Sequence, residues 1–149
     1  GGMRAHASSE GVQRWGCGAL RNICSGSDAA GLARQQAAAD AGALASIVGG
    51  MRAHASSEGV QESGCAALGN ICSGTDAAGL ARKQAAADAG ALALIVGGMR
   101  AHASSEGVQR WGCGALRNIC SGSDAAGLAR QQAAADAGAL ASIVGGMRA

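Results

Sequence analysis

Gly-Gly-Met-Arg-Ala, at residues 1–5, decides the fold because it returns with a period of 48 along a chain of 149 residues, at 49–53, 97–101 and 145–149. The full repeats are 1–48, 49–96 and 97–144, and 145–149 begin a fourth. The first and third repeats are identical, and the middle repeat differs from them at seven positions. In arrays with units this long, each unit covers the apolar face of its neighbour. The period therefore predicts a stacked array.

Each repeat predicts three helices, at about Asp28–Ala41, Ala43–His54 and Glu58–Cys72 when counted from the first complete unit. Ser27 is the predicted N-cap of the first helix, and Gly42 ends it. The second helix carries apolar residues at spacings of three and four. Ser56 or Ser57 begins the third helix, whose apolar residues fall on one face. The chain is therefore predicted to be all-α.

Two motifs resemble the armadillo repeat, whose period of about 40–47 is near that of this chain, whereas ankyrin and tetratricopeptide units repeat every 33 or 34 residues. Ala-Asp-Ala-Gly-Ala-Leu-Ala-Ser-Ile-Val (39–48) resembles the junction of the first two armadillo helices. Gly-Cys-Gly-Ala-Leu-Arg-Asn-Ile-Cys (16–24) resembles the end of the third. The resemblance covers the whole chain and implies a single right-handed α-solenoid over 1–149. The chain departs from the family in its longer period and in Ala45, where a proline is common.

The two ends of the chain, residues 1–5 and 145–149, have the same sequence as the interior segments 49–53 and 97–101, although terminal repeats of a solenoid normally carry a polar outer face. The chain begins and ends inside a predicted second helix. We therefore expect either that it is a fragment of a longer array or that its ends are buried against another surface.

The seven differences between the middle and outer repeats mark one helix face: Arg14/Glu62, Trp15/Ser63, Gly18/Ala66, Arg21/Gly69, Ser27/Thr75, Gln35/Lys83 and Ser46/Leu94. Four of them, at 14, 15, 18 and 21, share one face of the third helix. The invariant apolar residues Val12, Leu20 and Ile23 lie elsewhere and are the predicted core. We expect the variable face to be exposed, either because it drifts neutrally or because it functions. The armadillo resemblance implies that it lines a concave groove for extended peptides.

The resemblance also implies a ligand-binding role for one asparagine in each repeat, which would hydrogen-bond a peptide backbone: Asn22, Asn70 and Asn118. An amide suits that role because it offers both donors and an acceptor. The alternative is that each asparagine caps a helix end. The usual groove tryptophan, four residues earlier, is replaced by Gly18, Ala66 and Gly114.

The only aromatic residues, Trp15 and Trp111, stand on the variable face with four arginines: Arg14, Arg21, Arg110 and Arg117. The middle repeat presents Glu62 instead. Exposed tryptophan beside arginine is typical of binding hot spots. The alternative is that each indole packs over the glycine at 18 or 114. Repeats stacked at ~10 Å would place the two tryptophans ~20 Å apart, or about six residues of an extended ligand. We expect an acidic or mixed-charge peptide to bind in preference to a basic one.

The cysteines and histidines predict structural roles. Cys17 and Cys24 lie about two turns apart on one helix, which is too far for a disulfide or for a shared zinc ion. We interpret them as core residues of a cytoplasmic protein, with the nucleus or a cytosolic assembly as alternatives. His6, Ser9 and Glu10 recur at a helix–helix turn, where capping explains them better than catalysis does. We therefore expect no enzyme activity, cofactor or metal.

Composition limits the partners of the chain. The net charge of +2 is too small to favour nucleic acid, and no apolar run reaches the ~18 residues that a membrane span requires. Glycines are abundant, and we expect Gly16, Gly18, Gly49 and Gly50 to allow close helix approach. The leading function is a protein- or peptide-binding scaffold. The alternative, favoured by the near-identity of the repeats, is a structural spacer or assembly element that docks by its ends or convex surface, with possible end-to-end self-association.

Overall fold

The computed structural model describes residues 1–148, which form ten α-helices and no strand, so the all-α class is confirmed. Ala149, the last residue of the predicted fourth repeat, lies outside the described residues. The helices are α1 (Gly2–Ala5), α2 (Glu10–Ile23), α3 (Ala29–Asp40), α4 (Ala43–Ala53), α5 (Glu58–Ile71), α6 (Ala77–Asp88), α7 (Ala91–Ala101), α8 (Glu106–Ile119), α9 (Ala125–Asp136) and α10 (Ala139–Arg148).

The predicted helix bounds agree with α3, α4 and α5 to within one residue. The prediction of Ser27 as the first N-cap was wrong, because the Asp28 carboxylate accepts a hydrogen bond of 2.8 Å from the Gly31 backbone N–H. Gly42 joins the first and second helices with a left-handed φ of 82°. Ser57, one of the two serines proposed for the third helix, caps α5 by accepting from the Val60 N–H.

The third helices of the repeats pack together, with α5 in contact with both α2 and α8. The second helices α4 and α7 pack on α5 and α8, and each first helix packs beside them. The buried residues recur at the same positions of the repeat and form one cluster that draws on all three repeats. Val60, Leu68 and Ile71 in α5 are fully buried, as the invariant apolar stripe predicted. The same prediction was wrong for Ile23, which is 54% exposed because α2 packs against one other third helix, α5, whereas α5 packs against two.

Glycine allows close approach at some predicted positions and not at others. A Cβ at Gly16 would lie 2.7 Å from the Met3 side chain, and one at Gly50 would lie 2.6 Å from the Gln13 amide oxygen. The same prediction was wrong for Gly18 and Gly49, where no atom lies within 4 Å of an added Cβ. These two glycines weaken their helices without a compensating contact.

Within residues 1–148, no helix is both long enough and apolar enough to cross a membrane.

Candidate functional site

The candidate site is a depression of about 440 Å³ between α2 and α5, here called the α2–α5 depression. Its lining brings together five of the residues that sequence analysis proposed: Arg14, Trp15, Arg21, Asn22 and Glu62. The other proposed residues, namely Asn70, Trp111, Arg110, Arg117 and Asn118, do not line it. The first repeat therefore supplies the aromatic and cationic groups, and the middle repeat supplies the carboxylate.

Trp15 is the exposed aromatic group of this depression, with 71% of its surface accessible. The Arg14 guanidinium carbon lies 5.3 Å from the centroid of its ring, within the range of a cation–π contact. The alternative that each indole fills the space beside a glycine was wrong, because nothing lies within 4 Å of a Cβ added at Gly18 or Gly114. The indole is therefore presented to solvent.

The equivalent Trp111 is half-buried and has a second cationic neighbour. Arg110 lies over its ring at 5.2 Å, and Arg21 of the first repeat lies over it at 4.6 Å. Between these repeats the middle one carries only Ser63 and Gly69 at the equivalent positions, so no long side chain occupies the space that Arg21 crosses. The two tryptophans are thus in different surroundings despite identical local sequences.

The middle repeat departs from the prediction that the variable face is exposed. Ala66 and Gly69 are buried, because α5 is packed between the two neighbouring third helices. A Cβ at Gly69 would lie 3.5 Å from the Ala115 backbone, at ordinary van der Waals distance. Glu62 remains half-exposed, and its carboxylate lies over Gly107 of the third repeat. The prediction that this face is exposed was therefore wrong for Ala66 and Gly69.

The asparagines of the middle and third repeats join neighbouring repeats. Asn70 Nδ2 donates to the Arg21 carbonyl and Asn118 Nδ2 donates to the Gly69 carbonyl, both at 2.8 Å. These carbonyls are in the last turn of the preceding third helix, where the helix itself offers no donor. The capping interpretation therefore applies across the repeat boundary. The side-chain oxygens of these asparagines are not used in these bonds, and Asn22 is exposed.

Replacing Asn118 by aspartate is expected to lower the free energy of unfolding by about 1–3 kcal/mol, because a carboxylate would face the Gly69 carbonyl without a donor. Asn22→Asp is the matched control, since Asn22 occupies the same position in an identical repeat and is exposed. Urea unfolding followed by circular dichroism compares them. Equal effects of the two changes would contradict the role given to Asn118.

A second set of polar contacts between repeats was not predicted from the sequence. His54 Nε2 lies 2.8 Å from the Ala7 carbonyl, and Ser57 Oγ donates to the Glu10 carboxylate at 2.6 Å. The third repeat makes the same contacts to the middle one through His102 and Ser105. The histidine, serine and glutamate that looked like a local cluster are thus shared between repeats. The sequence signal for these contacts was that the histidine, the serine and the glutamate recur in every repeat.

A buried arginine also bridges repeats. Arg82 donates through Nε to the Ile71 carbonyl and through its terminal nitrogens to the amide oxygens of Gln35 and Gln36. Arg130 bonds in the same way to Ile119 and to Gln84. A guanidinium suits this position because its fixed fork reaches several acceptors at once.

The middle repeat has a buried lysine where the outer repeats have glutamine. Lys83 occupies the position of Gln35 in the first repeat and is fully buried. Gln35 donates there to the Cys24 and Gly26 carbonyls and to the Ser73 hydroxyl, whereas the ammonium of Lys83 donates to the Ser121 hydroxyl. Burial lowers the pKa of Lys83, and the nearby arginines act in the same direction. Cys72 and Asp76 oppose this shift. Burying an ammonium where the first boundary has an amide costs free energy, which the hydrogen bond to Ser121 offsets in part.

Lys83→Gln is expected to raise the free energy of unfolding at neutral pH by about 1 kcal/mol, because an amide replaces a buried charge. Since the folded pKa is below the ordinary value of 10.5, the unfolded chain binds the extra proton. The contribution of Lys83 to wild-type stability therefore improves as pH rises toward that value. As pH rises across this range, the difference in the free energy of unfolding between Lys83→Gln and the wild type should therefore decrease. A difference that is independent of pH would contradict the assignment.

The cysteines are free thiols inside the helix packing. Burial raises the pKa of Cys17, Cys65 and Cys72 to about 12 in each case. A thiol with so high a pKa holds almost no nucleophilic thiolate at neutral pH. Among the described residues, no three metal-ligating side chains come together. These positions agree with the prediction of cysteines as core residues.

No family model, curated protein or solved structure matches this chain. The armadillo resemblance therefore rests on the residues quoted for it and on the period.

Proposed function

We propose that the chain is an armadillo-type solenoid that binds an extended protein segment in the α2–α5 depression. One observation carries the proposal: an exposed Trp15 lines one concave surface together with Arg14, Arg21 and the exposed Asn22. Large aromatic and arginine side chains supply most of the binding energy at protein interfaces. The contacts among α2, α5 and α8 support a regular stacking of the repeats.

The charges of the depression favour an acidic ligand. Arg14 and Arg21 line the depression with their guanidinium groups over the rings of Trp15 and Trp111, and a guanidinium can bind a carboxylate through two parallel hydrogen bonds. Glu62 offers one carboxylate at the opposite wall, where a basic residue of the ligand would fit. The ligand we propose therefore places an acidic residue near Trp15 and tolerates a basic residue toward α5.

Asn22 would hold the backbone of such a ligand. Its amide is exposed, whereas the donors of Asn70 and Asn118 are already bonded to the preceding repeat. The ligand would therefore be bound mainly by residues of the first repeat. We place this binding role in a reducing compartment such as the cytoplasm, where buried cysteines remain free thiols.

Fluorescence anisotropy with labelled peptides tests the proposal. We would compare an acidic peptide, a mixed-charge peptide and a basic peptide of equal length and equal aromatic content, at low and moderate salt. The acidic or mixed-charge peptide should bind most tightly, and added salt should weaken its binding. Binding that is strongest for the basic peptide, or absent for all three, would overturn the proposal.

A further inference from the structure

Arg21 is held at two points by residues of later repeats. Its backbone carbonyl accepts a hydrogen bond of 2.8 Å from Asn70 Nδ2 of the middle repeat. Its guanidinium carbon lies 4.6 Å from the centroid of the Trp111 ring in the third repeat, within the range of a cation–π contact. The side chain of Arg21 therefore crosses α5 and is supported on α8.

The same side chain belongs to the α2–α5 depression. Arg21 is half-exposed and lines the depression, although the ring that supports it does not. A guanidinium that contacts a ring through its face keeps its N–H donors available, because these donors lie in the plane of the group. The contact with Trp111 is therefore compatible with binding a carboxylate through the same guanidinium.

The middle repeat leaves a path for this side chain. It has Ser63 and Gly69 where the outer repeats have tryptophan and arginine. Because α5 is packed between α2 and α8, large side chains at these two positions would stand between Arg21 and Trp111. The alternation of outer and middle repeats therefore allows a residue of the first repeat to contact an aromatic ring of the third.

The two arginines of the depression are supported in different ways. The guanidinium carbon of Arg14 lies 5.3 Å from the ring of Trp15, its neighbour in the sequence. Arg21 depends instead on a ring that the third repeat supplies. Substitutions at Trp15 and at Trp111 therefore act on different arginines of the same depression.

Holding Arg21 in place before a ligand arrives lowers the cost of binding. A free arginine side chain has a large rotamer entropy, and part of it is lost when the guanidinium is fixed against a ligand. The contact with Trp111 restricts the side chain in advance, so less entropy is lost on binding.

We propose that Trp111 is a positioning residue of the α2–α5 depression, which holds the Arg21 guanidinium where it binds a carboxylate of the ligand. The proposal rests on the proposed function, because it takes an acidic protein segment as the occupant. Trp111 acts through Arg21 and lies outside the lining of the depression. The residues that select the ligand therefore extend over three repeats, although the depression lies between two of them.

The affinity for the labelled acidic peptide tests this role of Trp111. Trp111→Leu should weaken binding roughly threefold to tenfold, because Arg21 loses its support. Trp111→Phe keeps an aromatic ring beneath the guanidinium and should retain most of the affinity. In a chain that already carries Arg21→Ala, Trp111→Leu should have no further effect, since the positioned group is absent.

Acrylamide quenching of tryptophan emission tests the contact without a ligand. Trp15→Phe leaves Trp111 as the only tryptophan. Adding Arg21→Ala should increase the quenching of Trp111, because one side of the indole loses its cover. Arg14→Ala is the matched control, since Arg14 lies over the other ring, and it should leave the quenching of Trp111 unchanged.

The possible results distinguish this inference from the proposed function. The inference alone would be overturned if Trp111→Leu did not weaken binding, if it weakened binding equally with and without Arg21, or if Arg21→Ala left the quenching unchanged. Absence of peptide binding by the wild-type chain would overturn the proposed function and the inference with it. Thermal unfolding would verify that each variant is folded.

Discussion

Replacing Gly79 by alanine is expected to lower the free energy of unfolding by about 2–3 kcal/mol, one of the largest effects of a single methyl group in this chain. Gly79 is buried in the first turn of α6, and an added Cβ would collide with the backbone carbonyl group of Gly74. The colliding atoms belong to the backbone and not to the end of a flexible side chain, so the helix start must shift instead. The same contact recurs at Gly31 and Gly127.

Gly97→Ala is the matched control for this change. Gly97 lies in the interior of α7, is exposed, and has no atom within 4 Å of an added Cβ. Alanine should raise the free energy of unfolding there by up to about 1 kcal/mol through helix propensity alone. Thermal and urea unfolding of the two variants should therefore move in opposite directions. Changes of the same sign would show that the close approach at Gly79 is not what requires glycine.

The second large effect is expected for peptide binding when the first repeat receives the variable residues of the middle one. The change combines Arg14→Glu, Trp15→Ser, Gly18→Ala and Arg21→Gly. The affinity for an acidic peptide should fall at least about 100-fold, or ~2.7 kcal/mol, because two cations and the aromatic anchor are removed. The third helix should still fold, because the middle repeat carries these residues in α5.

Ser27→Thr, another residue taken from the middle repeat, is the control for this exchange because it lies in an exposed loop outside the α2–α5 depression. It should bind the acidic peptide as the wild type does. Titration calorimetry measures both variants. If the exchanged chain retained wild-type affinity, the α2–α5 depression would not be the binding site for this peptide.

Periodicity predicted the helices well because each one is set by local signals. Gly42 ends one helix and Ser57 begins another within the repeat, and both are read from neighbouring residues. The wrong prediction of Ser27 as the N-cap also has a local cause, because serine and aspartate are both good caps and stand side by side. Spacing predicted the burial of Val60 and Ile71 correctly but failed for Ile23, which has the same spacing and is exposed.

Contacts between repeats could not be predicted from residues that are neighbours in the sequence. The role of Asn70 depends on which carbonyl of α2 lies beside it, and 49 residues separate the two partners. The different surroundings of Trp15 and Trp111 depend on Arg21 crossing the middle repeat, which no local pattern encodes. The variable face was predicted from one helix, so the burial of Ala66 by two neighbouring helices was missed.

The emission of Trp15 tests the binding account most directly. Trp111→Phe leaves Trp15 as the only tryptophan, and its exposed indole should emit as a solvated group. Titration with the acidic peptide should shift this emission to shorter wavelength and saturate, while a charge-reversed peptide should leave it unchanged. An emission that does not respond to the acidic peptide, or that responds equally to the charge-reversed one, would contradict the account.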